Sequence, residues 1–255
     1  MPDSYWALLH GVVFLAALLQ TATGFGFAMI SVPILLIVLN SSAAIQVGMI
    51  LSLVIALLLM PSLFRHVDKR LLRLFVIGSC IGIPVGIFLY LVINLGVLKL
   101  LAGLVVMVSV LTTIGNVGGR GQSGPATFSL TSDLGVGVIA GIMNASLAIP
   151  GVLPLIRMVQ MSATREVIRA TILALFVFSY PVAIALQAAL AGLTLSTLKV
   201  TATLIPATLI GIVAGQILVS RIPQKTFIRI ILVLLVSSTL GLFIDAGWTL
   251  LGTQS

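Results

Sequence analysis

Gln20-Thr21-Ala22-Thr23-Gly24-Phe25-Gly26, followed by Pro33, interrupts an otherwise apolar run covering about residues 6–39. Unbroken, those roughly 34 residues at about 1.5 Å each would make a helix near 50 Å long, against about 30 Å of hydrocarbon in a bilayer. Glycine tolerates non-helical backbone and proline withholds an N–H, so this stretch can end one helix and begin another. The device recurs in the run 134–158, as Gly141-Ile142-Met143-Asn144-Ala145-Ser146 and then Pro150, Gly151 and Pro154. Both runs are predicted to be broken, and that reading decides the rest of the fold.

The surroundings are those of a membrane protein. Of 255 residues, 60% are hydrophobic and only 7% charged, with a mean hydropathy of +1.31. Soluble domains carry about 25% charged residues, so a water-soluble enzyme is excluded. A disordered or nucleic-acid-binding chain is excluded with it, despite a pI near 10.6. Besides the two interrupted runs, six further apolar blocks lie at about 43–64, 71–93, 98–116, 167–191, 196–220 and 226–246. They are continuous rather than alternating, which points to an all-α polytopic protein and not a β-barrel. Met1-Pro2-Asp3 supplies no basic flank for a cleaved signal peptide, so the first block is expected to be retained.

The two halves resemble each other. Gly82 and Gly86 in the third block have counterparts 129 residues later in Gly211 and Gly215, and Ser109 in Ser238. Pro33 pairs with Pro154 at the shorter spacing of 121. A first repeat is therefore expected over 1–116, a linker over 117–133 and a second repeat over 134–255. Charge assigns the topology. If all eight blocks crossed once, the basic residues would divide six against seven. If the interrupted blocks instead enter and return on one side, Lys99 and Lys199 lie outside and the other eleven inside, the asymmetry expected of cytoplasmic loops. Each repeat is then a broken or re-entrant hairpin followed by three transmembrane helices. The odd number of crossings makes the repeats inverted, a known transporter design.

Broken backbone at membrane depth exposes amide groups, tolerated where protein or a water-filled cavity satisfies them. A helix that starts at each break directs free N–H groups and a positive dipole end at the gap, and this suits an anion. The candidate substrate-binding residues are Gln20, Thr21, Thr23, Gly24, Phe25 and Gly26 of the first break, and Asn144, Ala145, Ser146 and Gly151 of the second. Such a site is neutral, holding its ligand with amides and side-chain donors rather than a buried arginine. Gly82, Gly86, Gly211 and Gly215 have the small-xxx-small spacing of close helix packing. Arg157 reads as a positive-inside anchor. Gln46, Gln187 and Gln216 suit either a polar path or interhelical hydrogen bonding.

Catalytic and metal chemistry find no support. Cys80 is alone, and His10 and His66 lack metal-ligand spacing. The five acidic residues form no paired carboxylate, and there is no HExxH or Walker A pattern. No enzyme activity, cofactor or metal is expected. The partners are a small anion and membrane lipid, without nucleic acid and with homo-oligomerisation left open.

The stretch Gln20–Pro33, with its Gly-Phe-Gly and proline, resembles the first-repeat motif of the sulfite exporter TauE/SafE family of bacterial inner-membrane anion transporters. The resemblance spans nearly the whole chain. In the second half, Asn144-Ala145-Ser146-Leu147-Ala148 stands where the family motif is richer in glycine, and only Gly141, Gly151 and Pro154 echo it. The resemblance implies movement of a small sulfur-containing anion, of the sulfite or organosulfonate kind, across the cytoplasmic membrane. Alternating access about the breaks is the expected mechanism. A channel-like facilitator and a non-transporting scaffold subunit are the competing readings.

Overall fold

The computed structural model describes residues 3–117 and 128–218, with 236, 239–245 and 247 beyond them. Most of the expected linker and of the eighth apolar block lies outside the described residues. Among the described residues the protein is entirely helical, and six helices are long and apolar enough to cross a membrane.

The first interrupted block forms α1 (Asp3–Thr23) and α2 (Phe27–Leu39), separated by Gly24-Phe25-Gly26. Then follow α3 (Ala43–Leu63), α4 (Lys69–Val92) and α5 (Leu95–Val117). The second interrupted block forms α6 (Leu130–Leu147) and α7 (Val152–Gln160), and α8 (Arg165–Leu190) and α9 (Leu195–Leu218) come after it. The connections that are fully described are short and chemically marked. Asp68 caps α4 by accepting from the amides of Arg70 and Leu71, both at 3.0 Å. Thr164 does the same for α8 through Val167 N. Prolines 61, 84, 181 and 206 lie inside helices.

The second break starts later than the sequence suggested. Gly141 to Leu147 are helical, and the interruption is Ala148 to Gly151. Ala148 adopts the left-handed conformation (φ 61°), and the amides of Ala148 and Ile149 return to the carbonyls of Asn144 and Met143. That is a Schellman-type ending, and Pro150 disfavours helix at the residue before it. Gly141 serves another purpose. A Cβ there would stand 2.6 Å from Ser79 Cα on α4. Asn144, Ala145 and Ser146 thus belong to the last turn of α6, not to the break. Helix α6 also starts at Leu130, capped by Ser129, inside the stretch assigned to the linker.

Two helix pairs pack most closely, α4 with α6 and α1 with α9, while α3 crosses α8. The expected small-residue seams lie at both close contacts. On α4, Gly78 and Gly82 abut the backbone around Val138, and Gly86 abuts Ile142. On α9, Gly211 abuts Phe14 and Ala17, and Gly215 abuts Leu18 and Thr21. Any side chain at these glycines would force the backbones apart.

Polar contacts gather at two opposite ends of the bundle. At one, buried Lys99 at the start of α5 pairs with Asp245 and donates to Asn40 Oδ1 (2.9 Å), while Gln46 at the start of α3 donates to the carbonyl of Gly192 (3.1 Å). At the other, Asp68 N donates to Thr171 Oγ1 (3.0 Å) and Arg70 lies over the Phe128 ring. There, too, Arg157 near the end of α7 pairs with Asp133 in the first turn of α6, a fully buried carboxylate. Arg157 is only 8% exposed. It is therefore a buried ion-pair partner, a role beyond the positive-inside anchor read from the sequence.

Candidate functional site

The first break is shaped by its glycines. Gly24 (φ +88°) and Gly26 (φ +104°) occupy backbone conformations that side chains rarely adopt. The Gly24 amide closes α1 by donating to Gln20 O (2.7 Å). The Thr23 hydroxyl lies 2.9 Å from Leu19 O and 2.6 Å from Phe25 O, so it is spent on holding the turn. Helix α2 then begins after Gly26, which offers no side-chain cap, and α7 begins after Gly151, which offers none either. The first-turn amides of both helices lack intrahelical acceptors by the geometry of the α-helix, and Pro154, third in α7, removes one donor from that set.

The two breaks meet. A Cβ on Gly151 would stand 3.3 Å from Phe25 Cβ and 3.1 Å from Phe176 Cζ. Between them lies a small, tight pocket with room for about one water molecule. Gln20, Phe25, Gly26 and Met29 line it from the first break, and Ala148, Pro150 and Gly151 from the second. Phe176 and Tyr180 of α8 complete the wall. The Tyr180 hydroxyl donates to Ala148 O (2.9 Å), which fixes the αL residue in place. Of the residues proposed from the sequence, Gln20, Phe25, Gly26 and Gly151 come together here.

The others lie around it. Thr21 is fully buried under Gly215, on the α9 side of α1. Gly24 rests on the stem of Arg169, where a Cβ would stand 2.8 Å from Cγ and 2.9 Å from Cα. The Ser146 hydroxyl donates to Ile142 O within its own helix (2.7 Å), and Ala145 O accepts from Gln187 Nε2 (2.7 Å). Asn144 is fully buried.

A set of buried polar atoms surrounds the breaks without hydrogen-bond partners among the described residues. They are Gln20 Oε1 and Thr21 Oγ1 on α1, Ser52 Oγ on α3, both amide atoms of Asn144 on α6, and Arg169 Nε, Ser179 Oγ and Gln187 Oε1 on α8. Leaving such a group buried and unpaired costs about 1–3 kcal/mol. Their concentration on the four helices that flank the breaks marks this region as one not optimised for stability alone.

Sequence reasoning missed Tyr180, Phe176 and Arg169. The signal for the first was legible: Ser179-Tyr180-Pro181 puts two hydroxyls and a proline in the middle of an apolar block. Arg169 lies at the start of that block, where it reads only as an inside charge, and its stem under Gly24 puts a basic residue next to the first break.

The chain belongs to the sulfite exporter TauE/SafE family, whose model matches residues 9–242. No curated protein and no solved structure matches it. Six apolar helices make this a multi-pass membrane protein, and its family is one of membrane transporters and not of enzymes.

Proposed function

We propose that the protein carries a small sulfur oxyanion, sulfite or an organosulfonate, across the bacterial cytoplasmic membrane by alternating access, with the anion held between the two breaks. The observation that carries this reading is the contact of Phe25 with Gly151, which joins two uncapped helix starts around one pocket. Amide donors and dipole ends converging on a gap suit an oxyanion, and Gln20 adds a polar side chain to the wall.

The reciprocal packing supports two inverted repeats. Under the spacing that relates Pro33 to Pro154, Val138 corresponds to Ala17 and Ile142 to Thr21. Those are the positions met by Gly82 and Gly211, and by Gly86 and Gly215. The end-to-end contacts support hairpins. With eight single crossings, Lys99 and Asp245 would fall on opposite sides, as would Asp133 and Arg157, yet both pairs touch. With each broken block turning back, Asn40, Lys99 and Asp245 share the outer side and Asp68, Asp133 and Arg157 the inner. Helix α2, at 13 residues, is short for a full crossing, which fits a re-entrant arm. Phe25 and Phe176 close the pocket on two sides, favouring a carrier over an open channel.

The test is Gly151→Leu, a site with ordinary φ (−82°) where added bulk enters the pocket rather than straining the backbone. In proteoliposomes, saturable sulfite flux by the native protein and its loss in this variant, with normal insertion, are the expected results. Unchanged flux in Gly151→Leu would remove the breaks as the site. Non-saturable flux would establish the channel, and no flux of any anion the scaffold.

A further inference from the structure

Among the described residues, three basic residues have their stems inside the bundle, and two of them face carboxylates: Arg157 faces Asp133, and Lys99 faces Asp245. Arg169 on α8 does not. Among the described residues it makes no ion pair, its Nε is buried without a hydrogen-bond partner, and Glu166 one turn earlier is exposed. Arg169 is only partly exposed, and it is Nε alone of its guanidinium that is withdrawn from water without a partner, a charge-bearing donor that something negative would satisfy. A simple positive-inside anchor would keep its polar atoms in water or at lipid headgroups and would not bury Nε.

Its position is specific. The backbone of the first break crosses directly over its stem, at Gly24, where no side chain would fit. The same face of α8 continues, three, seven and eleven residues on, to Ile172 and Phe176 at Gly151 and to Tyr180 at Ala148 O. At about 1.5 Å per residue, Arg169 stands roughly 5–16 Å along the helix axis from these three residues that touch the second break. It stands at the bundle end that holds Asp68, whose amide bonds Thr171 two residues further along α8.

We propose that Arg169 is the charged receptor that draws the anion from this end of the bundle toward the pocket, its unpaired guanidinium N–H groups meeting the oxyanion before the amides of the breaks do. The inference rests on the transport reading above and adds to it a cationic, side-specific recognition step. Because the charge acts in capture, it governs apparent affinity more than turnover. Guanidinium and ammonium both attract an anion, but only guanidinium presents a fixed fork of donors, so lysine serves partially.

The experiment compares the native protein with Arg169→Gln and Arg169→Lys in proteoliposomes. Initial rates of radiolabelled sulfite transport are read against concentration, with sulfite-induced shifts of Tm in detergent alongside. The expected result is a KM raised at least about tenfold in Arg169→Gln at a maximal rate within about threefold of native. Arg169→Lys should fall between the two, and the sulfite-induced Tm shift should weaken in the same order. If the native protein transports sulfite and Arg169→Gln keeps the native KM, the receptor role is overturned while the transport reading stands. A fall in maximal rate alone, with KM unchanged in both variants, overturns it equally, because that is what a packing role would produce. Should Arg169→Gln fail to insert, a native KM in Arg169→Lys together with a native Tm shift overturns it. A native protein inert toward sulfite in both assays would instead bring down the reading on which the inference depends.

Discussion

The two breaks perform the same turn with different chemistry. The first uses glycine twice, at φ +88° and +104°, and a threonine hydroxyl ties its strand together. The second has one left-handed residue, Ala148, a proline that withholds an N–H and Tyr180 reaching in from α8 to hold Ala148 O. The first break is local and permissive. The second is imposed from outside, by a neighbouring helix and by the buried Arg157–Asp133 pair that ties α7 back to the start of α6. A turn that its own residues favour survives loss of outside support, whereas an imposed turn depends on it.

The sharpest way to break that comparison is Asp133→Asn. It leaves Arg157, 8% exposed, without its carboxylate, and removing one partner of a buried ion pair costs about 3–5 kcal/mol. Thermal unfolding in detergent should fall well below native, and proteolysis should cut first around α7. Asp245→Asn should do less even though Lys99 is itself buried, because Asp245 is 32% exposed, so water reaches the pair, and Lys99 keeps Asn40. Equal losses in the two variants would mean that the second hairpin is no more dependent on its clamp than the first.

Next in size is Gly24→Ala. The added methyl must occupy a left-handed backbone and stand 2.9 Å from Arg169 Cα, a neighbour that cannot swing away. Backbone strain of this kind costs about 1–3 kcal/mol before any displacement of α8. Gly26→Ala meets only the Leu19 side chain, at Cδ2 and Cγ and not at backbone, so it should lose less stability than Gly24→Ala. The order of the two Tm values checks this. A reversed order would show that the close approach to α8 is not what fixes glycine at position 24.

These residues also mark what the sequence made legible. Gly24, Gly26 and Pro33 announce the first break because its conformation is written in its own residue types, and the small-xxx-small glycines announced the close helix pairs for the same reason. Of the markers of the second break, Pro150 and Gly151 fall within it, whereas Gly141 to Ser146 lie in the helix before it. Gly141 and the polar residues after it serve helix packing and the end of α6, and the residue that turns is an alanine. An alanine at positive φ carries no local signature, since a tyrosine 32 residues away stabilises it. The buried state of Arg157 was hidden likewise, because it depends on Asp133 being 24 residues distant in sequence and adjacent in space. Arg169 could have been suspected, lying inside an apolar block, but its relation to Gly24 is a tertiary fact that spacing does not encode.

The smallest effect has the opposite sign. If Ala148 is held in the left-handed region against its preference, Ala148→Gly should relieve strain that amounts to about 1–2 kcal/mol for an L-residue. Part of that gain is lost to the greater freedom of glycine in the unfolded chain, which costs about 0.4–1 kcal/mol. The net expectation is a small rise in Tm, a degree or so, where Gly24→Ala and Gly26→Ala both lower it. The same variant should also lessen the dependence on Tyr180: Tyr180→Phe removes the hydroxyl from Ala148 O and should destabilise the native protein more than it destabilises Ala148→Gly. Measuring the four combinations isolates that coupling. Strict additivity would mean that the tyrosine does not hold the turn, and the second break would then be as self-sufficient as the first.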